Sequence, residues 1–89
     1  ELYQDAVETS SKALESFPSQ GVLYYVKGSA LSRLNQNEKA VSILEEALDY
    51  IFNEVLEQQV YAALATAYQK LGNSEKEAYY QQKIKQKTN

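Results

Sequence analysis

Ala6-Val7 followed by Ala13-Leu14 returns as Ala40-Val41 followed by Ala47-Leu48, an offset of 34 residues. A pattern repeating at this distance constrains a chain more tightly than its composition does. Each copy is one supersecondary unit, and the units must stack because none buries its apolar face alone. The second copy lies within VLYYVKGSALSRLNQNEKAVSILEEAL, residues 22–48. Tyr24, Gly28, Leu31 and Leu34 in its first half, and Ala40, Val41, Leu44, Ala47 and Leu48 in its second, follow the spacing of a helix face. Asn35-Gln36-Asn37 interrupts that stripe with turn-favouring residues, and Asn37 is placed to cap the helix that follows. The unit reads as a helix hairpin.

The rest of the chain follows the same grammar. Residues 2–16 put Leu2, Ala6, Val7, Ala13 and Leu14 on one helical face, with Ser10 between them. Phe17-Pro18-Ser19-Gln20 ends that helix, because proline disfavours helical geometry in the residue before it. A second helix is expected from Gln20 to Leu34, a third from Asn37 to Ile51 and a fourth from Val55 to Leu71, with Asn53 as the break between the third and fourth. Gly72 suits a left-handed C-terminal cap. Ser74, with Glu77 three residues on, reads as a capping box opening a fifth helix that runs to about Lys87. The sequence therefore predicts an all-α fold of five helices without strands.

Composition removes several functions. Nine Lys and Arg against twelve Asp and Glu leave a net charge of -3, which lacks the basic footprint of a nucleic-acid binder. Residues 1–57 carry ten acidic and four basic side chains and residues 58–89 two and five, an asymmetry that fits solvated helix faces better than an acidic partner oriented toward the C-terminal end. With no Cys or His, disulfides and thiolate or imidazole metal sites are absent. No apolar run reaches the length of a membrane span, and the chain, beginning at Glu1, reads as a piece of a longer protein. Glu45, Glu46 and Asp49 gather on the third helix without a nucleophile or metal ligand nearby, so they read as a solvated face and not as an acid–base pair. The three glycines are scattered, which leaves no phosphate loop. No enzymatic activity and no cofactor is expected.

The middle hairpin resembles the tetratricopeptide repeat, whose first helix carries aromatic-x2-Leu-Gly-x2-Tyr and whose second carries Ala-x3-Phe-x2-Ala followed by Pro. Tyr24, Gly28 and Leu31 take the first set of positions and Ala40, Leu44 and Ala47 the second, with Lys27 where Leu is usual and Phe52 where Pro would sit. Tyr61, Leu64, Ala65 and Tyr68, followed by Leu71-Gly72, repeat the first helix, while Glu77, Gln81 and Ile84 make an atypical second helix, as in a terminal cap. Ala6, Ser10, Ala13 and Pro18 match a second helix without its first. The resemblance divides a single domain, 1–89, into helix B of an incomplete repeat (1–20), a second repeat (21–57) and a third (58–89). Tyr24 and Tyr61 are 37 residues apart, which puts three extra residues near 50–57.

What the resemblance implies is a right-handed stack of antiparallel helix hairpins in which Gly28 meets Ala40 at a helix crossing. Of the eight tyrosines, Tyr24, Tyr61 and Tyr68 belong to the core, Tyr80 is at least half-buried, and Tyr25 faces a concave groove. Val22, Tyr25, Ser29, Ser32 and Arg33 from the second helix and Gln59, Ala62, Ala63, Thr66, Gln69 and Lys70 from the fourth would line that groove. The family subtype that clamps C-terminal carboxylates of chaperones uses Lys, Asn and Arg at set groove positions, whereas Tyr25, Ser29 and Ala63 occupy three of them here. The expected function is a protein–protein interaction module holding a peptide or helical segment of a partner protein. The alternative is a structural segment or cap of a longer solenoid. The missing first helix leaves the apolar face of residues 2–14 uncovered, a surface for weak self-association.

Overall fold

A computed structural model describes residues 1–87, and it is helical throughout. The elements are α1 (Leu2–Ser16), α2 (Gly21–Arg33), α3 (Asn37–Ala47), α4 (Glu54–Lys70) and α5 (Ser74–Lys87), with a single 3-10 turn at Leu48–Tyr50 and no strand among the described residues. Each helix packs on the next in chain order, and α2 also touches α4. The result is a stack of helix hairpins measuring 35 × 28 × 17 Å. Tyr24, Val41, Leu44, Ala47, Ile51, Val60, Leu64, Ala65, Ala67, Tyr68 and Tyr80 form one continuous core running from α2 to α5.

The α2–α3 crossing works through absence of a side chain. A Cβ at Gly28 would stand 2.6 Å from Leu44 Cγ and 3.4 Å from the Ala40 carbonyl oxygen. Leu44 and Ala40 are fully buried, so neither has room to give, and only glycine lets the two backbones approach this closely.

Two helix ends are built identically. Asn35 and Gly72 both adopt positive φ, at 64° and 75°. Around them Gln36 N–H donates to Leu31 O and Asn35 N–H to Ser32 O, just as Asn73 N–H donates to Tyr68 O and Gly72 N–H to Gln69 O. This paired bonding is the Schellman arrangement. Its recurrence after 37 residues, from Asn35 to Gly72, carries the sequence repeat into backbone geometry.

The N-terminal caps differ from those the sequence predicts. Asn37 is not a cap: it is the first residue of α3, its Oδ1 accepts from Ser32 Oγ at 3.3 Å, and Gln36 precedes it without a side-chain cap. The Ser74–Glu77 capping box is displaced by one residue, since Asn73 Oδ1 accepts from Lys76 N–H at 3.0 Å. Asn53 caps α4 by accepting from Leu56 N–H at 2.9 Å. α3 stops at Ala47 and not at Ile51. There the chain tightens into the 3-10 turn and Ile51 turns extended, with φ -112° and ψ 124°, which places it against Gly21, whose Cβ would stand 2.6 Å from Ile51 Cγ1. The apolar face of α1 is partly covered: Ala6, Val7, Ala13 and Leu14 are half-buried where α1 packs on α2, while Leu2 is 75% exposed.

The largest departure from expectation is Glu45, which does not belong to a solvated face. Its carboxylate is half-buried, and Oε2 accepts from Tyr68 Oη at 2.7 Å and from Tyr80 Oη at 2.9 Å, with Lys76 Nζ at 4.0 Å. The two phenol rings stack at 6.0 Å. One side chain of α3 thereby joins α4 and α5. Burial, then the hydrogen bond to Glu45 and its negative charge, push the Tyr68 hydroxyl up to about 12, and the same causes raise Tyr80.

Two predictions follow from this packing. Gly28→Leu should lower the free energy of unfolding in urea by about 1 to 3 kcal/mol through overpacking, despite a helix-propensity gain of about 1 kcal/mol; an unchanged midpoint would mean that the helices do not meet there. The second concerns alkaline pH. Tyr68 is raised from 10.0 to about 12, so the folded chain keeps a proton that the unfolded chain releases. The corresponding stability is complete below pH 10 and is lost as pH rises through 12. The melting temperature should therefore fall more steeply across that window in the native chain than in a Tyr68→Phe/Tyr80→Phe variant, and equal slopes would contradict the Glu45 contact.

Candidate functional site

α2 and α4 lie side by side as alternate helices of the stack, and α2 has two working faces. Tyr24, Gly28 and Leu31 are buried in the fold; at about 100° per residue, Tyr25, Ser29, Ser32 and Arg33 gather on another side of the helix. That side, together with Gln59, Ala62, Ala63, Thr66 and Lys70 of α4, encloses an open concavity of about 450 Å³.

Nine of the eleven residues singled out from the sequence line this concavity. Val22 does not, because it sits in the first turn of α2 beyond the mouth, where it is 47% exposed. Gln69 is also outside: it is exposed but rotated about 100° from Lys70 on the helix. Within the groove Ala62 and Ala63 keep the α4 side low, which leaves width for a ligand backbone. Tyr25 and Ser29 are half-buried, while Gln59, Thr66, Arg33 and Lys70 are exposed. Ser32 is at the bottom, 9% exposed, with its hydroxyl donated to Asn37.

The charge of the groove is one-sided. Arg33 is the last residue of α2 and Lys70 the last of α4, where cations complement the negative helix end. No Asp or Glu lines the concavity. Arg33 is further held from below, its guanidinium carbon 5.7 Å from the centroid of the Tyr3 ring, an arrangement that favours the cation electrostatically. The groups presented in the concavity are hydroxyls, an amide and two cations, and no nucleophile–base pair accompanies them among the lining residues. Among the described residues no group of three or more acidic, His or Cys side chains is arranged to hold a metal ion, and no helix is long and apolar enough to cross a membrane.

The sequence did not reveal the roles of Tyr3 and Glu45. Tyr3 lies outside the repeated Ala-Val and Ala-Leu positions of α1, and its relation to Arg33 depends on how α1 lies against α2. Glu45 was masked by Glu46 and Asp49 beside it, although its position one residue after the buried Leu44 was a signal that it borders the core.

Compared with known families, residues 22–54 match the model described as tetratricopeptide repeat. No curated protein and no solved structure gives a match to the chain. The matched segment holds α2 from its second residue, α3 and the connection to the first residue of α4, which is the hairpin closed at Gly28. Repeats of this kind are in general protein–protein interaction modules without catalytic activity of their own. By fold and by sequence, then, the described residues form a stack of helices whose segment 22–54 is similar to the tetratricopeptide repeat.

Proposed function

We propose that the concavity between α2 and α4 holds an extended segment of a partner protein. The observation that carries this reading is the convergence of Tyr25, Ser29, Arg33, Gln59, Thr66 and Lys70 on one open groove with a low floor of Ala62 and Ala63. Such a surface offers hydroxyl and amide groups to a peptide backbone, a phenol face to an apolar or aromatic side chain, and two cations to an acidic group.

The energy of peptide capture concentrates in a few anchors, with aromatic and Arg side chains prominent among them. Tyr25 and Arg33 belong to that class and are separated by about 12 Å along α2. A ligand of about four extended residues, at about 3.3 Å each, reaches both. Tyr25 supplies contact area at little entropic cost because its ring is already half-buried, and Arg33 is held in place over Tyr3.

A peptide selected for binding from a displayed library tests the reading. Tyr25→Ala and Arg33→Ala should each weaken it by more than about 1 kcal/mol while circular dichroism shows the helical fold retained, and Glu15→Ala, an exposed change on α1, should leave affinity unaltered. Normal binding by both groove variants would favour the alternative, in which this chain serves as a structural segment of a longer solenoid.

A further inference from the structure

Lys27 occupies the motif position where Leu is usual, and its side chain opens onto a surface remote from the groove. At about 100° per residue, Lys27 and Leu31 lie on the side of α2 opposite Tyr25 and Ser29. There they border a second open cavity, of about 750 Å³, bounded by α1, α2 and α3. Val7 of α1, Leu31 of α2 and Ile43 of α3 give it an apolar lining, while Lys27 and Lys39 bring two cations against the single carboxylate of Glu38. This local excess of positive charge stands on a chain whose net charge is -3.

Lys27 is half-buried. Among the described residues it makes no ion pair and no hydrogen bond with another side chain. Val7 and Ile43, also half-buried, present apolar surface beside it.

We propose that this cavity is a second docking site, whose occupant is an acidic amphipathic segment of a partner polypeptide. A Glu or Asp side chain of that segment pairs with Lys27 and Lys39, and a branched apolar side chain next to it packs on Val7 and Ile43. Charge complementarity selects the segment, and the apolar contact holds it.

The test uses nuclear magnetic resonance on the 89-residue chain with a blocked peptide alternating Leu and Glu, and a Leu/Gln counterpart as control. The acidic peptide should shift the amide signals of Val7, Lys27, Leu31 and Ile43, and it should bind at least about tenfold more tightly than the Gln peptide, a difference of about 1.4 kcal/mol. Lys27→Leu should abolish that preference at these signals without lowering the melting temperature. Equal binding of the two peptides, or shifts confined to Tyr25, Ser29 and Ala63, would overturn the proposal. So would shifts at Val7 and Ile43 that depend on protein concentration without peptide, which would place a second copy of the chain there.

Discussion

The close approach of α2 and α3 at Gly28 is the contact on which the arrangement depends. It fixes the rotation of α2 about its own axis. With Gly28 turned toward Leu44 and Ala40, Tyr24 and Leu31 are committed to the interior, and Tyr25, Ser29 and Arg33 are left on the concave side. A larger residue at this crossing would separate the helices and turn the concave face with them, so the fold and the groove share one determinant. Tyr24 reinforces it from the N-terminal end of the helix, stacking on Tyr50 at 5.3 Å and donating its hydroxyl to Pro18 O at 2.9 Å.

A second joint is polar. Glu45 collects hydrogen bonds from Tyr68 and Tyr80, linking the hairpin of α2 and α3 to that of α4 and α5 through one carboxylate. Hydrophobic contact alone is non-directional and leaves a helix free to slide or rotate. The two phenols, each with a fixed reach, restrict where α4 lies on α3, and α4 is the other wall of the groove. Lys76 near the same carboxylate and over the Tyr68 ring, at 6.0 Å from its centroid, adds charge balance at the edge of this joint.

The five helices were legible because they follow from periodicity, and the face on which nine of the groove residues gather because the family resemblance adds which phase of the helix lines the concavity. Once Tyr24, Gly28 and Leu31 are assigned to the interior, the outward phase of α2 is determined, and the repeat transfers that phase to α4. Details resting on a single hydrogen bond were not legible. Asn37 and Ser74 are both good cap residues, but the choice among Gln36, Asn37, Asn73 and Ser74 turns on where the preceding Schellman turn releases the chain. The end of α3 was unreadable because residues 48–53 lack Gly and Pro, and what ends the helix is the burial of Ile51 against Gly21. Glu45 was misread for a related reason: its partners lie 23 and 35 residues away in the chain, beyond any local pattern.

The groove reading is tested most directly by a solution structure of the chain with a peptide selected for binding to it. Intermolecular contacts are predicted to Tyr25, Ala62, Ala63 and Thr66, with the acidic group of the peptide beside Arg33 and Lys70. A peptide seated at the helix ends, on α5, or anywhere that leaves those side chains untouched would contradict it.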